Sequence, residues 1–265
     1  MKKLLCVFII LCLLPLAAMA EDWGYAISPL TLRNSDGYLT LANRDHLLDS
    51  DYTPEDLVNV TAKHVSGHFQ LRKAAHEALL AMFAAAKEDG CTLYVKSAYR
   101  SYQTQNTMYY NRLKKNNGKD DGWVSYPGAS DHQTGLGLDI LNYAWTQKDG
   151  MNSDFAKDAE AQWMAEHCHE YGFVIRYQAD KEEITGIHYE PWHLRYVGPE
   201  CAAYMYENNL SLEEFTEEWQ AYIAAFNAAG GDFDAYCKAL TTLPEPVTTG
   251  SYDEDGDPEV SFFGP

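Results

Sequence analysis

Apolar side chains recur at helical spacing in two long stretches of the chain. The first covers residues 68–89, is rich in alanine and leucine, and stops at Gly90. The second covers residues 155–171 and stops at Gly172. A glycine directly after the last periodic residue is typical of a helix end, so each stretch predicts one helix.

Shorter runs rich in β-branched and aromatic residues predict strands. TLYVKSAYR at 92–100 and FVIRY at 173–177 each follow a predicted helix. Residues 183–189 predict a further strand that leads into EPWH at 190–193, whereas 38–48 alternate in character but contain turn residues. The interleaving of helices and strands predicts an α+β fold, with a small antiparallel sheet flanked by helices.

The C-terminal part of the chain changes character twice. Ser211 precedes Glu214 by three residues, which is capping-box spacing, so a helix should begin there and continue through Phe226. A shorter helix is expected over 232–240. From Pro244 onward, proline, glycine, threonine and acidic residues dominate, and this composition predicts an acidic, disordered tail.

The first twenty residues have the pattern of a signal peptide. Two lysines precede an apolar block that ends in Ala-Met-Ala, a small-x-small cleavage pattern. The alternative is a retained membrane anchor, because residues 4–20 reach the short limit of a spanning helix. The Ala-x-Ala end favours cleavage, and thus a secreted or cell-envelope protein without stable membrane insertion. The expected organisation is a signal peptide at 1–20, a lead at 21–37, a main domain at 38–216, a helical extension at 217–243 and a tail at 244–265.

Charge and cysteine content narrow the possible partners. Removal of the signal takes away two of the 20 basic side chains and none of the 39 acidic ones, which leaves a net charge of −21. Such a surface disfavours nucleic acid as a partner. Cys91, Cys168, Cys201 and Cys237 remain, and an oxidising compartment allows one or two disulfides among them, with the pairing open. The sequence contains no Cys-x-x-Cys pair, so a thiolate zinc site is not expected.

Two separate segments contain candidate metal ligands. SDHQTGLGLDI at 130–140 holds His132 and Asp139, and its leucines and isoleucine share one parity that can pack inward. Asp139 then falls on the opposite face with the glycines, which leave room for a metal and a substrate. EPWH supplies His193. Because catalytic zinc takes three protein ligands and keeps one open position, these three residues predict a single Zn²⁺ site.

Other side chains are placed to assist such a metal. Glu190, three residues before His193, can take a proton from an activated water and pass it to a leaving amine. Arg100 leaves a predicted strand within SAYRSYQTQ, and its guanidinium can stabilise a developing oxyanion. Gln105 and Ser130 can bind a substrate carboxylate or amide.

Together these segments resemble the successive motifs of the D-alanyl-D-alanine carboxypeptidase family of zinc peptidases, which includes vancomycin-resistance D,D-carboxypeptidases and related L,D-carboxypeptidases. The family pattern Ser-x-His-x-x-Gly-x-Ala-x-Asp is matched at Ser130, His132, Gly135 and Asp139. Gly137 replaces the usual alanine, and we expect this change to widen or loosen the site. The resemblance covers residues 38–215.

The resemblance implies a role for each candidate residue and an activity. The implied reaction removes the C-terminal D-alanine from peptidoglycan stem peptides through a metal-activated water. Glu190 would be the general base and acid, and Arg100 would stabilise the oxyanion. The implied zinc ligands are His132, Asp139 and His193, and the implied substrate contacts are Ser130, Gln105, Trp192 and Tyr99.

Several alternatives stay open at this point. The bond cleaved could instead be that of an L,D-carboxypeptidase acting on tetrapeptide stems, or of a D,D-dipeptidase. A different class is a zinc-binding cell-wall module without catalysis, although Glu190 and Arg100 favour an enzyme. His64 and His68 lack the glutamate of His-Glu-x-x-His peptidases and are interpreted as structural. His188 could line the cleft, and the oligomeric state is open.

Overall fold

The computed structural model describes residues 23–63, 67–242, 247–252 and 258–261. The chain divides into two units, of which the larger contains residues 34–220 and the smaller combines the described residues before 34 and after 220. The predicted signal peptide and His64 lie outside the described residues. Within the described ranges, no helix has the length and apolar character needed to cross a membrane.

The helices differ widely in length. In chain order they are α1 (Pro29–Leu32), α2 (Lys73–Glu88), α3 (Tyr102–Lys115), α4 (Tyr143–Thr146), α5 (Ala159–His167), α6 (Glu182–Thr185), α7 (Pro199–Glu207), α8 (Leu212–Ala228) and α9 (Phe233–Thr242). Short 3₁₀ turns cover Asp131–Thr134, Ser153–Lys157 and Cys168–Tyr171.

The strands form small antiparallel sheets. They are β1 (Leu57–Asn59), β2 (Gln70–Arg72), β3 (Tyr94–Ser97), β4 (Gly137–Leu141), β5 (Phe173–Ile175), β6 (His193–Tyr196), β7 (Val247–Tyr252) and β8 (Pro258–Ser261). The central sheet has the order β3-β4-β6-β5, while β1 pairs with β2 and β7 with β8. All these pairs are antiparallel, so the predicted α+β class is confirmed.

The core of the larger unit lies on one face of the central sheet. Leu138 of β4 is paired with Leu194 of β6, Val95 of β3 is paired with Ile140, and all four side chains are fully buried. Helix α2 covers this core with buried residues at positions separated by three or four, which form one helix face: Ala75, Leu79, Met82 and Ala86. The sheet therefore turns its even-numbered β4 residues to the core and Asp139 to the other side.

The long predicted helices are shorter in the structure. In the first, residues 70–72 form β2, because pairing with β1 extends the backbone before α2 begins at Lys73. In the second, α5 occupies the centre, and 3₁₀ turns replace its ends. Gly172 adopts a left-handed conformation with φ 83°, which ends the segment as its sequence position indicated.

The strand predicted at 183–189 is wrong. Glu182–Thr185 forms the short helix α6, and Gly186 ends it in a left-handed conformation with φ 70°. The Glu182 carboxylate then accepts a hydrogen bond from the Tyr189 backbone N–H at 2.8 Å. This contact folds the chain back on itself, so the segment cannot run as an extended strand into Glu190.

Four charged side chains form an ion cluster in the interior of the larger unit. Arg176 donates to Asp131 at 2.7 Å and to both Glu213 oxygens at 2.7 and 2.8 Å, and Arg195 donates to the other Asp131 oxygen. Asp131, Arg176 and Arg195 are at most 1% exposed. Burial opposes ionisation of Asp131, but Arg195 and Arg176 outweigh it and hold its pKa below the usual range. We call these four residues the buried ion cluster.

The predicted C-terminal features have mixed outcomes. Ser211 and Glu214 form the predicted capping box: the Glu214 backbone N–H donates to the Ser211 hydroxyl at 3.2 Å, and the Ser211 N–H donates to the Glu214 carboxylate at 2.8 Å. The short helix expected over 232–240 is α9. Strands β7 and β8 occupy parts of the predicted tail and were not expected, while the rest of that prediction falls outside the described residues.

The smaller unit is organised around Trp23. Its indole packs against the rings of Tyr222, Phe226, Phe233 and Tyr236, with centroid distances between 5.0 and 5.9 Å. The two units meet in the chain at residues 33 and 220, and the domain organisation expected from the sequence stays a prediction.

The four cysteines of the described chain are free and buried, so the disulfides that the sequence allowed are not formed. Burial raises the pKa of the Cys168 and Cys201 thiols to about 12. Thiols with such pKa values carry almost no reactive thiolate at neutral pH, so these cysteines act as small core residues.

Candidate active site

Strand register brings the three proposed metal ligands together. Asp139 of β4 is directly opposite His193 of β6, and His132 lies in the 3₁₀ turn that precedes β4. One donor atom from each residue lies within 4.8 Å of the other two. The Asp139 Oδ1 atom is 2.9 Å from His193 Nδ1 and 3.5 Å from His132 Nε2. The structure therefore brings together the three residues that the sequence analysis selected.

The orientation of His132 is fixed by a backbone contact. Its Nδ1–H donates to the Ala98 carbonyl at 2.7 Å, which sets the tautomer and turns Nε2 toward Asp139. Gly135 follows the turn with φ 68°, and a Cβ there would meet Leu57 at 2.9 Å. Glycine is therefore required at this bend both for its backbone conformation and for space.

Burial and neighbouring charges set the ionisation of this cluster. Burial, reinforced by Arg100, lowers the pKa of His132 to about 4, so its imidazole is neutral at neutral pH. Burial opposes ionisation of Asp139, yet contacts with His132 and His193 outweigh it and hold the Asp139 pKa below its usual range. A neutral imidazole and a carboxylate are the forms that bind a metal.

The donor set fits a divalent metal such as Zn²⁺. Two imidazoles and one carboxylate make up a three-ligand set of the kind used in catalytic zinc sites. The three side chains are at most 4% exposed, so little solvent competes for their donor atoms. The chemistry and the convergence of these residues agree with the predicted metal site.

Glu190 lies beside the three candidate ligands. Its Oε2 atom is 3.9 Å from His193 Nδ1, and its backbone N–H donates to the Tyr177 carbonyl at 3.1 Å. Burial and the nearby Asp139 charge raise the Glu190 pKa well above its usual value, while Arg100 opposes the shift. A carboxyl group with a raised pKa can both accept and return a proton near neutral pH.

Arg100 is held in place by hydrogen bonds to neighbouring side chains. Its guanidinium donates to Gln105 Oε1 at 2.7 Å and to the Ser97 hydroxyl at 3.1 Å, and Gln105 in turn donates to the Ser125 carbonyl at 2.6 Å. Burial lowers the Arg100 pKa, whereas Asp139 and Glu190 oppose that shift. The pKa of an arginine starts so high that this side chain remains a cation.

These groups line one cavity of about 390 Å³. The predicted substrate contacts Ser130, Gln105 and Trp192 line it together with Arg100 and Glu190. Tyr99 is not among its lining residues, and its hydroxyl lies 3.3 Å from the Thr53 hydroxyl instead. The side chains that line the cavity besides the predicted ones are Met108, Arg112, Trp123, Val124, Ser125, Met151 and Tyr177.

Sequence reasoning missed several of these wall residues. Trp123 lies parallel to Trp192 with ring centroids 6.4 Å apart, and Tyr177 packs beside His193 with centroids 5.0 Å apart. Trp123 and Ser125 belong to a segment without periodicity, so their positions left no sequence signal. Tyr177 is the last residue of the predicted strand FVIRY and lies two residues beyond the end of β5, and a polar aromatic residue at a strand end was the available signal.

Gly137 does not widen the site as expected. A Cβ at residue 137 would lie 2.8 Å from both the carbonyl carbon and the Cβ of Asp131. The space next to Gly137 is thus filled by the segment that carries Asp131 and, one residue later, His132. Glycine here allows a close backbone approach that positions a candidate ligand.

Gly137→Ala should therefore destabilise the fold by about 1–3 kcal/mol, because the added methyl overpacks a rigid backbone contact. Urea denaturation of both proteins measures this difference. Gly24→Ala is a matched control, since its added Cβ would meet Tyr222 at an ordinary 3.5 Å. Equal stability of Gly137→Ala and the wild type would show that the Asp131 segment moves aside without cost.

Comparisons with known proteins agree with this geometry. The model of the VanY D-alanyl-D-alanine carboxypeptidase family matches residues 68–199. The putative carboxypeptidase YodJ of Bacillus subtilis is 39% identical over 198 residues, which cover 71% of this chain and 70% of the relative. The range 68–199 that the family model matches includes each of the three candidate ligands and Glu190.

Solved structures show the same relationship. The LD-carboxypeptidase LdcB is 38% identical, with a TM-score of 0.64 over 70% of this chain and 88% of that one. A VanY D,D-pentapeptidase variant in complex with Zn(II) is 31% identical, with a TM-score of 0.55 over 68% of this chain and 98% of that one. The resemblance deduced from the sequence motifs is confirmed, and the chain belongs to the VanY family of D-alanyl-D-alanine carboxypeptidases.

Proposed function

We propose that this chain is a zinc-dependent D,D-carboxypeptidase that removes the C-terminal D-alanine from peptidoglycan stem peptides outside the cytoplasm. The observation that carries the proposal is the convergence of His132, Asp139 and His193 within 4.8 Å, with Glu190 beside them in the same cavity. One Zn²⁺ per chain, bound by these three residues, would supply Lewis-acid activation of a water and of the scissile carbonyl.

Glu190 performs the proton transfers in this scheme. Its carboxylate accepts a proton from the attacking water and then donates it to the departing amino group of D-alanine. Glu190 is only 9% exposed, so its carboxyl group is largely shielded from solvent. Little bulk water can therefore compete for the transferred proton.

The remaining polar residues bind and orient the peptide. Arg100 lines the same cavity as Glu190 and stabilises negative charge that develops on the scissile carbonyl oxygen. Ser130 is 3% exposed and Gln105 is 1% exposed, so both belong to the closed end of the cavity. We assign the substrate's terminal carboxylate to this end of the cavity.

A second candidate is L,D-carboxypeptidase activity on tetrapeptide stems. The observation that favours it is the TM-score of 0.64 with LdcB, which exceeds the 0.55 with the D,D-pentapeptidase. Both reactions release one D-alanine, and they differ only in the configuration of the residue on the other side of the scissile bond. The proposed metal and Glu190 serve either reaction equally.

Mass detection of D-alanine release from purified pentapeptide and tetrapeptide stems tests the proposal. D,D-carboxypeptidase activity predicts tetrapeptide as the product of pentapeptide, with no further cleavage. Tripeptide from tetrapeptide would establish the second candidate, and release of D-alanyl-D-alanine from the pentapeptide would indicate a dipeptidase. Activity should disappear on chelation and return with Zn²⁺, and retention of full activity in chelator would refute the metal site.

A further inference from the structure

We infer that Arg112 binds a carboxylate on the substrate, carried by a residue two or three positions before the scissile bond. The inference deepens the proposed function and rests on it, because it names the class of stem peptide that the cleft selects. Among the residues that the structure describes, Arg112 is the one charged residue that lines the cavity outside the catalytic group of Arg100, His132, Asp139, Glu190 and His193.

One face of helix α3 forms a wall of the cleft. Gln105, Met108 and Arg112 are spaced by three and four residues, which places them on the same helix face, and all three line the cavity. Exposure rises along this face, because Gln105 is 1% exposed, Met108 is 39% exposed and the Arg112 side chain is 42% exposed. The cleft therefore opens along α3, from Arg100 toward Arg112.

This direction determines where the peptide lies. A carboxypeptidase has one residue on the leaving side of the scissile bond, so the rest of the substrate extends toward the open end. Seven helical residues from Gln105 to Arg112 correspond to about 10 Å of rise. An extended peptide covers about 3.3–3.6 Å per residue. Arg112 is thus at the level of the second or third residue before the scissile bond.

The hydrogen bonds of Arg112 leave one edge of its guanidinium available. Asp121 accepts from Nε at 2.9 Å and from Nη2 at 2.6 Å, which occupies the side edge. Nη1 makes no hydrogen bond within the described part of the chain, so Nη1 and Nη2 can bind a second planar carboxylate. Asp121 holds the guanidinium plane in place and reduces the entropy lost on binding.

The chemistry of stem peptides supplies two candidate carboxylates. A γ-linked glutamyl residue keeps a free α-carboxylate, and a dicarboxylic diamino acid at the next position keeps one on its side chain. In a pentapeptide that loses its last residue, the glutamyl carboxylate is on the third residue before the scissile bond, at position 2. The carboxylate of the diamino acid is on the second residue before that bond, at position 3. The distance along α3 favours the glutamyl carboxylate.

The test compares synthetic pentapeptides that differ in one group. One carries D-glutamate at position 2 and the other carries D-isoglutamine, both with lysine at position 3. We expect kcat/KM to be about tenfold higher for the acidic peptide, mostly through KM, since a charge-assisted bidentate contact is lost on amidation. Added salt should shrink the ratio because the pair is partly exposed.

Arg112→Met should bring the ratio of the two peptides to about one, because it removes the cation but keeps much of the side-chain volume. Arg44→Met is the matched control: Arg44 is also an exposed arginine paired with an aspartate, Asp120, but it does not line this cavity, so the ratio should persist. A pentapeptide with diaminopimelate in place of lysine at position 3 tests the side-chain carboxylate of that residue separately from the glutamyl carboxylate at position 2.

The outcomes distinguish this inference from the proposed function. Equal cleavage of the acidic and amidated peptides by the wild type would overturn the role of Arg112 while leaving the carboxypeptidase proposal intact. A preference for the acidic peptide that persists in Arg112→Met would also overturn the role of Arg112 and leave the carboxypeptidase proposal intact. A preference that follows only the position-3 carboxylate would move the contact one residue closer to the scissile bond. That result would refute the assignment of Arg112 to the glutamyl carboxylate. Failure to cleave any of these peptides would instead refute the proposed function.

Discussion

Glu190→Gln should lower kcat by about 10²–10⁴-fold, while the zinc content of the protein stays unchanged. Glutamine keeps the size of the side chain but cannot accept the proton of the attacking water. Zinc should remain, because Glu190 stands beside the three convergent donors and is not one of them. Rates on pentapeptide stems, together with zinc measured by atomic absorption, test both halves of this expectation.

The same substitution has an expected effect on stability, with a defined sign. The pKa of Glu190 is raised in the folded, metal-free protein. Its ionised form therefore opposes folding once the pH exceeds the pKa that the Glu190 carboxyl group has in the unfolded chain. Glutamine has no ionised form, so metal-free Glu190→Gln should be at least as stable as the metal-free wild type at pH 7. Thermal unfolding in the presence of a chelator measures this comparison.

Glu183→Gln is the matched control for both measurements, because Glu183 is exposed and lies outside the cavity. Its turnover, zinc content and stability should equal those of the wild type. Loss of zinc from Glu190→Gln would identify Glu190 as a ligand and contradict its role as a base. Wild-type turnover by Glu190→Gln would exclude that role directly.

The position of the candidate ligand Asp139 was predictable because strand geometry is local. The parity of Leu138 and Ile140 placed Asp139 on the face away from the core, and this follows from the two-residue period of a strand alone. His193 was a candidate ligand through its place in EPWH, but no local pattern indicated that it faces Asp139, since β6 itself was not predicted. The β4–β6 register that places His193 opposite Asp139 is a nonlocal property.

The other errors also arise from nonlocal contacts. Residues 70–72 continue the periodicity of α2 but form a strand because β1 is available as a partner. Gly137 looked like added space, whereas the folded chain brings Asp131 against it. Trp123 reaches the cleft from an aperiodic segment by packing on Trp192. In each case the local sequence preference is weaker than a tertiary contact that only the fold creates.

The buried ion cluster connects the segments that carry the candidate ligands. Asp131 precedes His132, Arg195 follows His193 by two residues, and Arg176 precedes Tyr177 of the cleft wall. Arg195 also donates to three backbone carbonyls, those of Tyr38 at 2.9 Å, Thr40 at 2.7 Å and Tyr196 at 3.1 Å. With two arginines and two acidic residues the cluster is neutral as a whole, and each charge depends on its partners for compensation.

Arg176→Met should accordingly cost about 3–5 kcal/mol of unfolding free energy, because Glu213 and one Asp131 oxygen lose their buried cationic partner. Urea denaturation with a constant m-value measures the loss. Arg112→Met is the matched control: it breaks an exposed Arg–Asp pair and should cost at most about 1 kcal/mol.

The double variant Arg176→Met with Glu213→Leu decides the cause of that loss. If an uncompensated buried charge is responsible, removing Glu213 as well should restore part of the stability that Arg176→Met loses. If instead the arginine contributes mainly by packing, the second substitution should add its own cost to the first. A loss for Arg176→Met no larger than that for Arg112→Met would show that the interior around Asp131 admits enough water to screen these charges, contrary to their burial.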